Sequence, residues 1–325
     1  MLRAHPDHIR QRMNSFGAGR RPFLFAVNFE MTEGYFVEEP AKGRDLFYSV
    51  LGAGNKPSRR PAAQAAALKV YPLGPDEYRQ KFEVVANGLQ RGDSYLTNLT
   101  VRTPIDCSLG LEDIFLLSSS PYQLYVPERF VCFSPERFVK ITEGRISTNP
   151  MKGTIDASIP DAGRVILEDF KETAEHNTIV DLLRNDVSIW AKEVRVERFR
   201  YLDRIKTRQR EILQVSSEIV GQLPPDYFSK LGDIIFAMLP AGSCSGAPKR
   251  STVNIIQQAE GESRGYYTGV FGIFDGRDFD SAVMIRFIEE QDGQKHFRSG
   301  GGITAYSLWE DEYREALEKI YLTFV

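Results

Sequence analysis

Two short segments of the 325-residue chain place carboxylates at a spacing suited to a divalent cation. In Phe170 to Asp186, Glu172, Glu175, Ile179, Leu182 and Leu183 recur at three- and four-residue steps, so on a helix they share one side. A carboxylate drawn toward apolar surroundings is costly unless paired or bound to a cation, and two of them one turn apart also repel each other. A hard divalent metal relieves both problems. The alternative leaves Glu172 and Glu175 in solvent, with Lys171 and Arg184 softening their charge. Near the C-terminus the pattern returns: Glu312 and Glu315 repeat the spacing, and Lys319 lies one turn beyond Glu315, where an ammonium meets an anion held beside a metal. Two acidic helix faces so far apart in sequence suggest one shared site.

Other residues carry weaker signals on their own. Arg286, between apolar neighbours in Val283 to Phe287, reads as a strand residue whose planar guanidinium needs a carboxylate, either a ligand's or an internal partner's. Gly300, Gly301 and Gly302, ahead of the acidic C-terminal helix, can form a nest of N–H donors for an anion. Taken singly, Lys152 beside Gly153 reads as a surface turn lysine, and Glu136 as a salt-bridge partner of Arg137 or Lys140.

The elements that must position these residues follow from local pattern. Residues before about Arg21 read as a loose or helical arm, poorly ordered or packing late. Pro22 to Phe29 and Gly34 to Val37 suggest a strand pair; Pro75 to Leu89 has helical period, and Ser94 to Val101 alternates like a half-buried strand. Short β runs crowd between Tyr122 and Thr148, helix dominates Asp161 to Asp186, and strands return at Ile212 to Val220. Pro248 opens a helix running to about Glu260, with Gly246 allowing the tight entry. Tyr267 to Phe274, Phe279 to Ile288 and Lys295 to Ser299 are the last strands. The expected architecture is a single α+β domain over residues 1–325 with a large sheet layer.

Composition excludes several classes of function. A net charge of −3 offers no basic stripe for nucleic acid or an anionic membrane. No run of about 18 apolar residues is present to span a bilayer, and the N-terminal charges lead into no apolar signal stretch. Cys107, Cys132 and Cys244 are odd in number and widely spaced, so plain thiols in a reducing cytoplasm are expected.

Several separate blocks resemble the chorismate-utilising enzymes, the family of anthranilate, aminodeoxychorismate, isochorismate and salicylate synthases. They are SPERF (Ser134 to Phe138), NPMKGT (Asn149 to Thr154), KETAEHNTIVDLLRND, PAGSCSGAPK (Pro240 to Lys249), RGYYTGVFG (Arg264 to Gly272) and GGGI with the acidic helix after it. In the family's order, they cover roughly residues 92–325, with 1–91 a divergent, shortened N-terminal part. The resemblance implies a sandwich of two packed, mainly antiparallel sheets flanked by helices. It further implies Mg2+ on Glu175 and Glu315, supported by Glu172 and Glu312, and a chorismate carboxylate on Arg286 and Tyr267. Ser245, Gly246, Gly300, Gly301, Gly302 and Lys319 are the further substrate-binding positions it marks.

Two positions separate the reactions within the family. Isochorismate and salicylate synthases activate water with a lysine in the strand near Tyr95, where this chain has Leu96; leucine cannot deprotonate water. Anthranilate synthases carry alanine where this chain has Lys152. The chain therefore looks most like aminodeoxychorismate synthase component I, an enzyme of folate and p-aminobenzoate biosynthesis, with Lys152 as covalent nucleophile and Glu136 as its proton acceptor. Anthranilate synthase component I is the runner-up, and a non-catalytic chorismate-binding regulatory protein the answer of a different class. No glutaminase nucleophile turn, Gly-x-Cys-x-Gly, is expected in the chain, so a separate glutamine amidotransferase subunit is expected to supply ammonia. One departure is Gln214, where the family often has histidine: glutamine can hydrogen-bond a leaving hydroxyl but cannot protonate it. His176 is the nearby candidate acid.

Overall fold

The computed structural model describes residues 1–59, 61, 67–206 and 211–322. Among these, two antiparallel sheets of ten and nine strands pack together, flanked by helices. The first runs in the order Leu2–Ala4, Gly34–Glu38, Phe23–Val27, Val270–Phe274, Phe279–Val283, Arg137–Thr142, Arg145–Thr148, Glu211–Gln222, and ends on Met151–Asp156, with Lys192–Lys206 on the other edge of Glu211–Gln222. The second runs from Gly246–Ala247 through Leu96–Cys107, Gln294–Ile303, Phe287–Gln291, Phe130–Ser134 and Tyr122–Val126 to Phe47–Val50 and Ala53–Gly54, with Leu68–Val70 also on Leu96–Cys107. Strands from residues 1–91 are thus threaded into both sheets.

Side-chain alternation shows how the layers are built. In Phe23–Val27, Leu24 and Ala26 face the second sheet and meet Tyr48, Leu124 and Phe287, while Phe23, Phe25 and Val27 point the other way onto Ile9, Met13, Leu231 and Ile235. Both faces are apolar because the sheet is covered on both sides. This corrects the reading of the N-terminus: Pro6–Ala18 is a helix whose Ile9, Met13 and Phe16 are buried. Their three- and four-residue spacing is the signal that its Arg and His content obscured. The strand Lys192–Lys206 was not anticipated, since its many charged residues mask the alternation, and it pairs along Glu211–Gln222 as a long edge strand.

The run Phe279 to Ile288 is divided rather than continuous. Phe279–Val283 belongs to the first sheet and Phe287–Gln291 to the second, so the chain turns between them, and Arg286 sits in that link with φ +53°. Tyr267 likewise precedes its strand, which begins at Val270. The glycine run is corrected too. Gly300, Gly301 and Gly302 are extended residues of Gln294–Ile303, paired with Thr100, Leu99 and Asn98, and form no turn or nest.

Candidate active site

The two acidic helices come together across the Gln294–Ile303 strand. Phe170–Ser188 starts at Asp169, whose Oδ1 accepts from Glu172 N at 2.8 Å, and its buried face carries Glu175, His176, Ile179, Val180 and Leu183. Trp309–Glu318 holds Glu310, Asp311 and Glu312 in its first turn, where the helix dipole favours negative charge, and buries Glu312 and Ala316. The glycines between them make room. A Cβ on Gly302 would lie 2.1 Å from Glu175 Oε1, and one on Gly301 3.2 Å from Glu315 Oε1 and 3.5 Å from Glu312 Oε2. On Gly153 a Cβ would stand 3.0 Å from Glu172 Oε2. The glycines act here by lacking side chains, so that carboxylates close onto bare backbone.

Lysines answer these acids. Lys152 Nζ pairs with Glu175, Lys171 Nζ donates to Glu312 Oε1 at 2.6 Å, and Lys319 Nζ donates to Glu315 Oε1 at 2.6 Å and to Gly300 O at 2.8 Å. Burial alone would raise Glu315, but Lys319, Lys171 and Lys152 outweigh it and hold its carboxyl below the ordinary range. Glu172 has less help: burial, then Glu175 and Glu315, push it up to about 7. Burial would lower Lys152, yet Glu175 above all holds its ammonium above the ordinary value.

Glu136 lies on the Lys152 side of the cluster. It accepts a hydrogen bond from Ser243 Oγ, and burial raises its carboxyl against the pull of Ser243, Lys152, Lys319 and Arg286. Neither salt bridge considered from sequence explains it, because Arg137 instead joins Asp280, Tyr122 and Asn149. Ser243 was not singled out from sequence, where nothing but membership of the PAGSCSGAPK block marks it. Ser245, singled out there, is fully buried and spends its hydroxyl on Ala241 O at 3.0 Å. Gly246, with φ +121°, lets the backbone close onto Leu96 O, which a Cβ would meet at 1.9 Å. Arg264, 1% exposed, pairs with Glu260 and donates to Cys244 O at 2.8 Å and Asn98 O at 2.6 Å, tying this segment to the Leu96–Cys107 strand.

Arg286 is half-buried, with its guanidinium over the Tyr321 ring at 5.1 Å and close enough to Glu136 and Tyr267 to act on both. Tyr267 is buried against Phe287, and that burial raises its phenol. Leu96 is buried with Ile179, Val180, Leu183 and Ile219, and its own side chain offers no base. His176 bonds Ser217 Oγ through Nε2 at 2.7 Å, and burial, then Arg200 and Lys152, press it down to about 4. At that value the ring is neutral at physiological pH, with Nε2 engaged by Ser217. Gln214 is half-buried opposite Thr154.

The chain does contain a Gly-x-Cys-x-Gly spacing, Gly242 to Gly246, which corrects the expectation that it has none. Cys244 there is buried, and burial, followed by Glu136, pushes its thiol up to about 12, the reverse of what a thiolate nucleophile needs. All three cysteines are free thiols. Among the described residues no helix is long and apolar enough to cross a membrane.

As they stand, Glu175, Glu312 and Glu315 are each paired with a lysine, and no three His, Cys, Asp or Glu side chains among the described residues converge as a ready cation cage. The donor set still suits a hard cation. Glu312 is 1% exposed and its Oε2 is buried with no hydrogen-bond partner among those residues, next to Glu315 across the bare Gly301.

The sequence profile of the chorismate binding enzymes matches residues 38–324. The chain belongs to this family. An uncharacterised PabA-like protein of Haemophilus influenzae is 47% identical over 99% of this chain and 98% of its own length. More distant chorismate binding enzymes carry the names anthranilate synthase and aminodeoxychorismate synthase. Component 1 of the aminodeoxychorismate synthase of Salmonella typhimurium is 30% identical over 85% of this chain, which spans 63% of that relative's length. Among solved structures, a putative 2,3-dihydroxybenzoate-specific isochorismate synthase from Bacillus anthracis superposes with a TM-score of 0.75 at 18% identity, covering 98% of this chain and 89% of the other. That likeness is one of fold: two packed antiparallel sheets with flanking helices.

Proposed function

We propose that this chorismate binding enzyme is the aminating component of an aminodeoxychorismate synthase, converting chorismate and ammonia to 4-amino-4-deoxychorismate and water. The observation that carries the reading is Lys152, whose amine reaches into the acidic cluster beside Glu136 while Leu96 leaves the water-activating position apolar. Glu175 and Glu315, with Glu172 and Glu312 behind them, are the residues that would hold Mg2+. Bound there, the ion would neutralise the ring carboxylate and polarise that end of the substrate. Charge supports the assignment. Five carboxylates, Glu136, Glu172, Glu175, Glu312 and Glu315, face four cations, Lys152, Lys171, Lys319 and Arg286. A substrate dianion would leave the cluster three charges negative, and a divalent cation returns it to one.

The chain's own residues divide the remaining work. Arg286, which forms no salt bridge among the described residues and has Tyr267 beside it, takes the pyruvyl carboxylate. Lys152 attacks C2 of the ring, both ring double bonds shift along the diene toward C4, and the C4 hydroxyl departs with a proton as water. Ammonia then attacks C4, both double bonds shift back, the C2–Nζ bond breaks to return Lys152, and the ammonium loses a proton. Direct attack of ammonia at C2 would instead leave nitrogen where anthranilate carries it. For the first step the amine must be neutral: burial favours loss of the Lys152 proton, and Glu175 first and Glu136 next are the groups that hold it. Glu136, its carboxyl raised and held by Ser243, accepts that proton and returns it to the departing oxygen. In the cell, ammonia would come from a separate glutamine amidotransferase subunit.

Purified protein given chorismate, Mg2+ and ammonium should form the 4-amino, non-aromatic product, and without ammonium it should show a chorismate-derived adduct on the Lys152 peptide by mass analysis. Lys152→Ala should slow the 4-amino product by about 10² or more. Anthranilate as the sole product, or an undiminished rate in that variant with no trapped adduct, overturns the proposal.

A further inference from the structure

Two of the motif blocks end on charges that the proposed reaction leaves unused: KETAEHNTIVDLLRND ends on Asp186 and PAGSCSGAPK on Lys249. Each stands at the wrong end of its helix. Asp186 lies in the last turn of Phe170–Ser188, where the dipole disfavours an acid, and Lys249 opens Lys249–Glu260, where it disfavours a base. Both side chains are largely shielded from solvent, and burial raises the Asp186 carboxyl and lowers the Lys249 ammonium. Neither charge is explained by its own helix. Each is explained by the other, because Lys249 Nζ stands 2.7 Å from Asp186 Oδ2.

The pair also closes a loop. Lys249 Nζ donates to Met238 O at 2.6 Å, so one ammonium joins the two ends of segment 238–249 and binds both to the acidic helix. Within that loop Gly242 is seated on the same helix: a Cβ there would lie 2.8 Å from Leu182 Cδ2 and 3.3 Å from Asp186 Oδ2. The next residue is Ser243, whose hydroxyl donates to Glu136. Arg264 holds the far side of Ser243 through Cys244 O at 2.8 Å, and the Asp186–Lys249 pair holds the near side. The hydroxyl is thus carried on a short turn, Gly242–Ser245, anchored at both ends by buried charge.

We propose that Asp186 and Lys249 are positioning residues that staple segment 238–249 to the acidic helix and so set the Ser243 hydroxyl against Glu136. The inference rests on the reading above, in which Glu136 carries the proton of Lys152. A proton carrier works only if its carboxylate is held in one orientation, and the groups that hold it must themselves be locked. Ser243 orients Glu136, and the staple orients Ser243.

The test is steady-state kinetics of the full-length protein with chorismate, Mg2+ and ammonium, for the wild type, Ser243→Ala, the neutralised pair Asp186→Asn/Lys249→Met, and all three substitutions together. The neutralised pair should lower kcat about tenfold or more, while KM for chorismate stays within about twofold of wild type and the melting temperature stays near it, since no charge is left buried alone. In the Ser243→Ala background the same pair should change kcat by less than about twofold, because its route through Ser243 is gone. Lys249→Arg, which keeps the charge, should recover most of the rate that Lys249→Met loses. Wild-type kcat in the neutralised pair, or an equal loss in both backgrounds, overturns the staple and leaves the amination reading intact. Where the neutralised pair fails to fold, Asp186→Asn alone carries the same comparison. A wild type that forms anthranilate overturns the amination reading alone, and the comparison is then made on that product; a wild type that consumes no chorismate overturns both.

Discussion

Glu172 offers the clearest test of how the acidic cluster is balanced. Its carboxyl is pushed up to about 7 from an ordinary 4.5, by burial first and then by Glu175 and Glu315. The folded protein therefore keeps a proton over a range in which the unfolded chain has released it. Stability from this group is full below the unfolded value, declines as pH rises between 4.5 and about 7, and is gone above that. The gap corresponds to a ceiling of about 3 kcal/mol. Because Glu172 is only partly shielded from solvent, roughly 2 kcal/mol is the figure to expect. Glutamine mimics the protonated acid and cannot ionise. In urea denaturation with EDTA present, Glu172→Gln should thus be more stable than wild type by roughly 2 kcal/mol at pH 8, with the gap shrinking below about 1 kcal/mol at pH 5. Glu136, Glu312, Asp186 and Asp280 also have raised carboxyls, but they titrate in both proteins and drop out of the difference. Parallel stability curves for the two proteins across that range would refute the argument and place Glu172 in free solvent.

Glu175→Gln and Glu315→Gln should each abolish chorismate turnover and weaken Mg2+ binding, but they should differ in metal-free stability. Glu175 is the buried counterion of Lys152, so its loss should cost about 3 kcal/mol in denaturation experiments, limited by the ability of Lys152 to shed its proton, whereas the more exposed Glu315 should cost less. Arg286→Ala should weaken chorismate binding by about 2 to 5 kcal/mol while the melting temperature stays near that of wild type, because the guanidinium rests on Tyr321 in a link between sheets rather than inside a strand ladder. Fluorescence titration with chorismate reads the first and a thermal scan the second.

Much of the fold was legible locally. Short apolar runs located Phe23–Val27, Gly34–Glu38 and the strands from Tyr122 to Thr148, and the 3.6-residue period located Pro75–Gln90 and the two acidic helices, because these patterns record which residues are buried. The motif blocks pointed to the two-sheet sandwich and to which acids, lysines and glycines would gather. Edges and links were harder to read. Lys192–Lys206 is a charged edge strand with weak alternation, and Phe279 to Ile288 looks continuous because both of its halves are buried, each in a different sheet. What only the tertiary structure decided is who faces whom. Gly300, Gly301 and Gly302 are strand residues because Thr100, Leu99 and Asn98 lie opposite them, and they matter through the Cβ atoms they lack beside Glu175, Glu312 and Glu315. Lys152 belongs to Glu175 across 23 residues, and Tyr78 lies against a helix more than 200 residues away. Periodicity reports the side a residue faces, whereas its partner across that side is set by how distant strands register and helices dock, which no local window contains.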